Sequence, residues 1–454
     1  MRKDHIVDHS LSWGDRGLKR KTQIVVVGGG AGGLELVARL GARFSRKDYD
    51  IILLEKNRTH IWKPLLHEVA AGSLDANLDE VGYGAHAHRW GYRFFQGSMM
   101  DIDRAAKEVV VAPLLDEDGQ EIMGEHRIRY DYLVIAIGSV SNDFGVEGVS
   151  DHCLSLESRR DADTFRSRLL NQCLRCSRLL SADPDADEHV RIGIVGAGAT
   201  GVELAAELYN AAAALRYYGL EVFDESRFKV TLIEAGPRIL PALPEKLAEA
   251  AHRELEALGV NVVTGAIVQR VTRTAIETRD GTTYPTNLRV WAAGVKGPAF
   301  LSNLAGLESN NRDQLIVRET LQATRDDHIF ILGDCASYTP EGSDRPIPPR
   351  AQSAHQMAET VFHNVCAMIR DRPLRAFVYK DNGSLVSLSR FATVGSLMGN
   401  LVGGRMAVEG RLARFVYMSL YRLHLLAIHG WLRGAGMIMM GHVNQIARPR
   451  LKLH

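Results

Sequence analysis

Gln23-Ile24-Val25-Val26-Val27-Gly28-Gly29-Gly30-Ala31-Gly32-Gly33-Leu34 is the stretch whose reading decides the fold. The β-branched apolar run reads as a buried strand, the glycine cluster as a tight turn, and Leu34 to Arg43 as a helix. Gly28, Gly30 and Gly33 stand at the spacing of a dinucleotide-binding turn. The first glycine allows the turn, the second lets backbone approach a pyrophosphate, and the third lets helix and strand touch. Free N–H groups at the helix start favour phosphate. Asp50 to Leu54 reads as the next strand, and Glu55 at its end is placed to accept from ribose hydroxyls.

The pattern restarts at Arg191-Ile192-Gly193-Ile194-Val195, which runs into Gly196, Gly198 and Gly201 at the same spacing. An alanine-rich helix to about Tyr217 and the strand Lys229 to Ile233 follow, ending in Glu234. A carboxylate there accepts from a 2′-hydroxyl and repels a 2′-phosphate, so the site should prefer NADH to NADPH. The helix is longer than usual, which could carry Glu234 out of register. Further strand ends are expected at Asp131 to Gly138, Val290 to Gly294 and Ile329 to Gly333, with loops at Ser181–His189 and Pro340–Pro349. The expected class is α/β, with two Rossmann-like dinucleotide-binding domains. Two such units imply two nucleotides, most economically one bound flavin and one exchangeable nicotinamide.

At 454 residues, 46% hydrophobic and 24% charged, the chain has the composition of a folded protein with more than one core. Lys+Arg 55 against Asp+Glu 54 argues against a globally basic nucleic-acid binder. The balance is uneven along the chain: Arg411, Arg414, Arg422, Arg433, Arg448, Arg450 and Lys452 have no acidic residue among them. Five cysteines at irregular spacing make a secreted disulfide framework improbable, and the polar start, Met1 to Lys21, has no apolar signal region. The most apolar window, Phe415 to Leu432, is interrupted by Arg422, His424 and His429, so no membrane-crossing helix is expected. On one continuous helix Arg411, Arg414, Arg422, His429 and Arg433 would share an arc of about 100° on an otherwise apolar surface. Such a stripe suits a segment lying in an anionic headgroup layer, with Gly430, Gly434 and Gly436 breaking it into two helices. The alternative is a buried or dimer-forming helix whose arginines pair with carboxylates elsewhere.

The two turns, Asp131 to Gly138 and the Gly333-Asp334 strand end resemble the two-dinucleotide-binding-domain flavoproteins of glutathione-reductase-like architecture. A polar leader at 1–20 has no counterpart in the resemblance, which implies an FAD domain split over 21–150 and 298–375, an NADH domain at 151–297, and a C-terminal quinone-site and membrane-anchoring region at 376–454. It assigns Asp334 and Gly138 to the flavin, together with Pro64 and Leu65 in the run His60 to Ala70. Gly294, which closes Trp291-Ala292-Ala293-Gly294, goes to the NADH site. The glutathione-reductase branch of the disulfide reductases carries its redox cysteine pair in the region of His60 to Ala70, where this chain has none, and thioredoxin-reductase pairs instead follow the second nucleotide turn. Cys173 and Cys176 form the one CxxC and read as structural; Cys335, beside Asp334, reads as a small residue packed near the flavin, and Cys153 and Cys366 read as core.

Ala351-Gln352-Ser353-Ala354-His355-Gln356 sets Gln352 and Gln356 on one helix face, and is similar to the AQxAxQ motif of type II NADH:quinone oxidoreductases. Ser353 stands where that motif commonly has alanine. The Gly198 to Glu203 run, Trp291 to Gly294, Lys380, Leu420 to His424 and the ending Arg448 to His454 also match, most closely the proteobacterial respiratory enzymes. The resemblance implies a peripheral membrane flavoprotein of the respiratory chain on the cytoplasmic face of the bacterial inner membrane. It would pass electrons from NADH through non-covalent FAD to ubiquinone or menaquinone, without a metal and without proton pumping. Gln352 and Gln356 would face the quinone, Lys380 would offset negative charge on the reduced flavin, and Glu203 would carry a proton or position nicotinamide. Homodimer formation is left open. Two other readings stand beside it: a soluble FAD-dependent disulfide reductase using Cys173 and Cys176, and a non-enzymatic NAD(H)-sensing flavoprotein of the apoptosis-inducing-factor kind.

Overall fold

The structure is a computed structural model that describes residues 20–215, 225–381, 383–387, 393–399, 404–409 and 425–447. The leader before residue 20, Arg411, Arg414, Arg422 and the matches at 420–424 and 448–454 lie outside the described residues.

In chain order the elements that position the site begin with β1 (Thr22–Val27), α1 (Ala31–Arg43), β2 (Tyr49–Glu55), α2 (Leu66–Ala71), α3 (Tyr83–Trp90), β3 (Arg93–Gln96), β4 (Tyr132–Ile135) and α4 (Arg159–Ala182). They continue with β5 (Val190–Val195), α5 (Ala199–Leu215), β6 (Phe228–Ile233), β7 (Asn261–Val263), β8 (Leu288–Trp291), β9 (Gln322–Ala323), β10 (Asp326–Ile331), α6 (Ala351–Met368) and α7 (Trp431–Ala447).

One sheet has the order β9-β10-β4-β1-β2-β3 and is parallel except at the β9–β10 edge. Ile24, Val25 and Val26 are fully buried in β1, because helices cover both faces of a parallel sheet and leave no polar side. The second sheet is β7-β6-β5-β8, wholly parallel. Each sheet has its own apolar core, one centred on β1 and β4 and the other on β5 and α5. Leu133 pairs with Ile329, so β10 returns to the first sheet after the second has been built. The chain crosses between the sheets at Val140–Ser141 and again at Val295–Lys296, and these crossings pair as an antiparallel ribbon.

In both sheets the glycine turn follows the central strand, where strand order reverses and a crevice opens at the carboxyl ends. Near the C-terminus residues 425–429 are helical, Gly430 takes φ +77, and α7 follows. The break expected at Gly434 and Gly436 does not occur: α7 runs through both. Gly434 serves a close approach instead, since a Cβ there would lie 2.8 Å from the Leu426 side chain. The turn at Gly430 also puts His429 and Arg433 on different helices, so the single-helix angle between them does not hold. Among the described residues no helix is long and apolar enough to cross a membrane.

Candidate functional site: two nucleotide crevices and the segment between them

At the first turn Gly28 has φ +100, and a Cβ on it would lie 2.4 Å from the Ala136 carbonyl oxygen. A Cβ on Gly33 would lie 1.9 Å from the Gly28 oxygen, whereas Gly30 faces open space. The second turn repeats this: Gly196 has φ +100 with a Cβ 2.7 Å from the Ala292 and Ala293 backbone, Gly201 would strike the Gly196 oxygen at 2.0 Å, and Gly198 is open. Flanking positions closed to any side chain and a bare, open middle leave backbone N–H groups as the surface that a pyrophosphate meets.

The carboxylates are placed alike. Glu55 Oε2 accepts from Gly29 N–H at 2.8 Å, and Glu234 Oε2 accepts from Ala197 N–H at 2.7 Å. The length of α5 does not displace Glu234, because β6 pairs with β5 in continuous register from Val190↔Phe228 to Val195↔Ile233. An ionised carboxylate has about four acceptor sites, so both retain capacity for a ribose hydroxyl. The residues present therefore fit a dinucleotide at each turn. Beside the first, Gly138 follows β4 with φ +75, and Ser139 Oγ–H donates to Asp334 Oδ2 at 2.9 Å. Burial pushes the Asp334 carboxyl upward, while the Ser139 bond and the Lys63 ammonium oppose it. Lys63-Pro64-Leu65 form a 3-10 turn with Leu65 buried and Pro64 exposed. Gly294 lies against Phe144, whose ring a Cβ would meet at 2.7 Å, and its carbonyl accepts from Asn142 N–H beside the two-strand ribbon.

Glu203, on α5, is buried, and its Oε2 lies 3.5 Å from His67 Nδ1 on α2. Burial depresses the His67 imidazole to about 4 against a hydrogen bond with the Pro64 backbone, so it is neutral at physiological pH. The pair joins an element of the first half to one of the second. On α6, Gln356 makes two backbone bonds to Lys380, donating to its carbonyl at 2.8 Å and accepting from its N–H at 2.9 Å. Gln352 Nε2 donates to the Gly383 carbonyl at 2.9 Å. The glutamine face thus binds the segment that carries Lys380, whose own side chain is exposed. On another face of α6, His355 Nδ1 meets Glu35 Oε2 at 2.5 Å, and Arg39 pairs with Glu35 Oε1 at 2.8 Å. Glu35 is buried in α1. His67, Glu35 and His355 were missed by sequence reasoning. A charged Glu35 inside the helix of an otherwise apolar glycine turn was the available signal.

All five cysteines are described, and burial raises every thiol: Cys153, Cys173 and Cys335 to about 12, and Cys176 and Cys366 also upward. A redox-active thiol pair requires thiolate near neutral pH. None of these supplies it.

Residues 22–358 match the pyridine nucleotide-disulphide oxidoreductase family. The chain is 44% identical over 442 residues to a type II NADH:quinone oxidoreductase of Haemophilus influenzae, covering 95% of this chain and 99% of that protein. A Staphylococcus aureus protein of the same description is 31% identical over 393 residues, covering 85% and 92%. Among solved structures, NDH2 from Plasmodium falciparum in complex with NADH superposes with a TM-score of 0.79 at 19% identity, covering 95% of this chain and 100% of that one. The sulfide:quinone oxidoreductase of Aquifex aeolicus gives 0.69 at 19% identity, covering 94% and 95%. With its paired nucleotide crevices and glutamine-faced helix, the chain belongs to the type II NADH:quinone oxidoreductases, within the pyridine nucleotide-disulphide oxidoreductase family.

Proposed function

We propose that this chain oxidises NADH and reduces a membrane quinone, using bound FAD to connect the two half-reactions. The observation that carries the reading is the duplicated carboxylate-anchored turn, Glu55 on Gly29 and Glu234 on Ala197, in a chain whose thiols are all held protonated. Two nucleotides are bound, and no cysteine relay stands between them. Bound FAD supplies the two-electron redox chemistry that lets a nicotinamide donor and a quinone acceptor react in turn.

Gly28, Gly30, Gly33 and Glu55 hold the FAD pyrophosphate and ribose; Gly138, Asp334, Pro64 and Leu65 frame the rest of that cofactor. Gly196, Gly198, Gly201 and Glu234 hold NADH, with Gly294 at the edge of its crevice. The negative charge on Glu234 disfavours the 2′-phosphate of NADPH. Glu203, buried against neutral His67, is the proton-holding group between the halves. Gln352 and Gln356 form the quinone-side wall and hold the 380–383 segment, so that Lys380 places positive charge beside the flavin. Ubiquinone or menaquinone reaches this wall from an anionic membrane surface on the cytoplasmic side, to which the C-terminal helices attach the protein.

The test is a visible spectrum of the purified protein, titrated with NADH and then mixed with quinone. Flavin absorbance bleached by NADH and restored on quinone addition is expected. A bleached spectrum that quinone leaves unchanged would overturn the reading and favour a nucleotide sensor.

A further inference from the structure

Residues 425–447 are attached to the catalytic body around one carbonyl. The Ile428 oxygen accepts from His86 Nε2–H at 2.8 Å and from Trp90 Nε1–H at 2.7 Å, both on α3. His86 Nδ1 accepts from the Tyr92 hydroxyl at 2.8 Å, and burial depresses its pKa to about 4, so the ring is neutral and this tautomer is set. The Gly430 turn follows. Arg89, also on α3, lies 5.3 Å from the Trp90 ring centroid, and its guanidinium flanks that turn: a Cβ on Gly430 would be 3.6 Å from Arg89 Nη2. Arg433 lies in the first turn of α7. Arg89 from the body and His429 and Arg433 from the tail therefore converge on Gly430.

Burial lowers the Arg89 pKa and the neighbouring Arg433 lowers it further; burial likewise lowers His429, with Arg89 and Arg433 adding to it. The start of α7 adds the partial positive charge of a helix N-terminus, with no acidic residue in its first turn. Among the described residues neither guanidinium has a carboxylate partner, and from Arg411 to the end the sequence contains no Asp or Glu to provide one. Among the described residues the buried His429 Nε2 has no hydrogen-bond partner. Gathering like charge in one place costs free energy unless an anion joins it. Beside this cluster Trp431 and Leu432 are 74% and 79% exposed, and with Met439 they share one face of α7. An anion-seeking cluster next to an exposed Trp/Leu/Met face is complementary to one surface, the charged interface of a bilayer.

We propose that Arg89, His429 and Arg433 form a binding site for the phosphodiester of an anionic phospholipid, with Trp431, Leu432 and Met439 seated among the adjoining acyl chains. This rests on the reading of the protein as a membrane quinone reductase and adds to it. Because Arg89 belongs to the nucleotide-binding body, the bound headgroup orients that body on the membrane, which a tail acting alone would not do.

The test uses the full-length, FAD-loaded enzyme and flotation with phosphatidylcholine vesicles, with and without phosphatidylglycerol. At about 1 kcal/mol per arginine at a lipid surface, Arg89→Gln with Arg433→Gln should weaken binding to phosphatidylglycerol vesicles by about 30-fold and leave phosphatidylcholine binding unchanged. NADH oxidation by a water-soluble acceptor should be unaffected. Arg89→Lys with Arg433→Lys should keep most of the binding, and the exposed pair Arg168→Gln with Arg175→Gln serves as a charge-matched control. If the glutamine variant does not fold, the site is read on the wild type, whose phosphatidylglycerol binding should fall steeply with salt. Wild-type binding lost equally in the test and control variants, or unchanged by the test substitutions, would overturn the site while leaving membrane attachment intact. No wild-type binding to any vesicle would overturn the membrane reading itself. Thermal stabilisation by inorganic phosphate, lost in the glutamine variant, with no vesicle preference, would assign the cluster to a free phosphate and refute the lipid.

Discussion

Gln356→Leu isolates the link between α6 and the segment carrying Lys380. The wild-type side chain makes two hydrogen bonds to the Lys380 backbone, at 2.8 and 2.9 Å, and leucine makes neither. At about 1 kcal/mol net per bond the docked segment loses roughly 2 kcal/mol, a shift of about 30-fold in its docking equilibrium. Gln352→Ala removes the bond to the Gly383 carbonyl at 2.9 Å and a longer one to Asp381 Oδ1 at 3.3 Å, so a shift of about fivefold or more is expected there. Neither residue belongs to the Gly196 turn or to Glu234, so binding and oxidation of NADH should change by less than about twofold. Stopped flow separates the steps: bleaching of the flavin by NADH, then its recovery when the reduced enzyme meets quinone. The recovery rate should fall in both variants, with bleaching nearly constant. Equal loss in both steps would show that the helix supports the flavin fold as a whole, and an unchanged recovery rate would remove the glutamine face from the quinone reaction.

Glu234→Gln keeps an acceptor for Ala197 N–H but removes the charge, so the ratio of kcat/KM for NADH over NADPH should fall by about tenfold or more; an unchanged ratio would take Glu234 out of the ribose site. Cys173→Ser with Cys176→Ser should keep NADH:quinone turnover within about twofold, since neither thiol is ionised; loss of the quinone step alone would revive the disulfide-reductase reading. The hydrogen bond that His355 donates to the Glu35 carboxylate raises its pKa above the ordinary 6.5, so the ion pair's stabilisation is complete below that value and is lost as pH rises through the raised one. The Tm difference between wild type and His355→Gln should therefore shrink between weakly acidic and alkaline pH, and a constant difference would contradict the pairing. His67 has the opposite sign, with a folded pKa near 4: the native state resists protonation, so stability falls as pH drops from about 6.5 toward 4. His67→Asn should flatten that part of a pH–stability curve, and an unchanged slope would place the proton elsewhere.

The glycine turns, their strands and both terminal carboxylates were legible because a βαβ unit is local. Strand, turn, helix and the next strand occupy consecutive sequence, and strand pairing carries Glu55 and Glu234 to the loops. The contacts joining the halves were not legible. His355 and Glu35 are 320 residues apart in the chain, and Glu203 reaches His67 only once α2 has packed on α5. Gln352 and Gln356 were correctly placed on one face, but spacing alone did not show that their amides bind the backbone at Lys380 and Gly383. In the tail, counting 100° per residue through Gly430 assumed one continuous helix. A φ of +77 ends that helix and brings Arg89, a residue from a distant part of the sequence, beside Arg433.

The paired crossings at Val140–Ser141 and Val295–Lys296 have a mechanical meaning. Two separate linkers would let the second half slide and twist freely over the first, whereas strands hydrogen-bonded side by side bend together and resist shear. With Trp291 Nε1–H donating to the Asn142 carbonyl at 2.7 Å, the two crossings are tied into one connection, and neither shifts along its length without breaking hydrogen bonds to the other side. The alignment of the two glycine-turn crevices is thus set by paired backbone and not by two independent linkers.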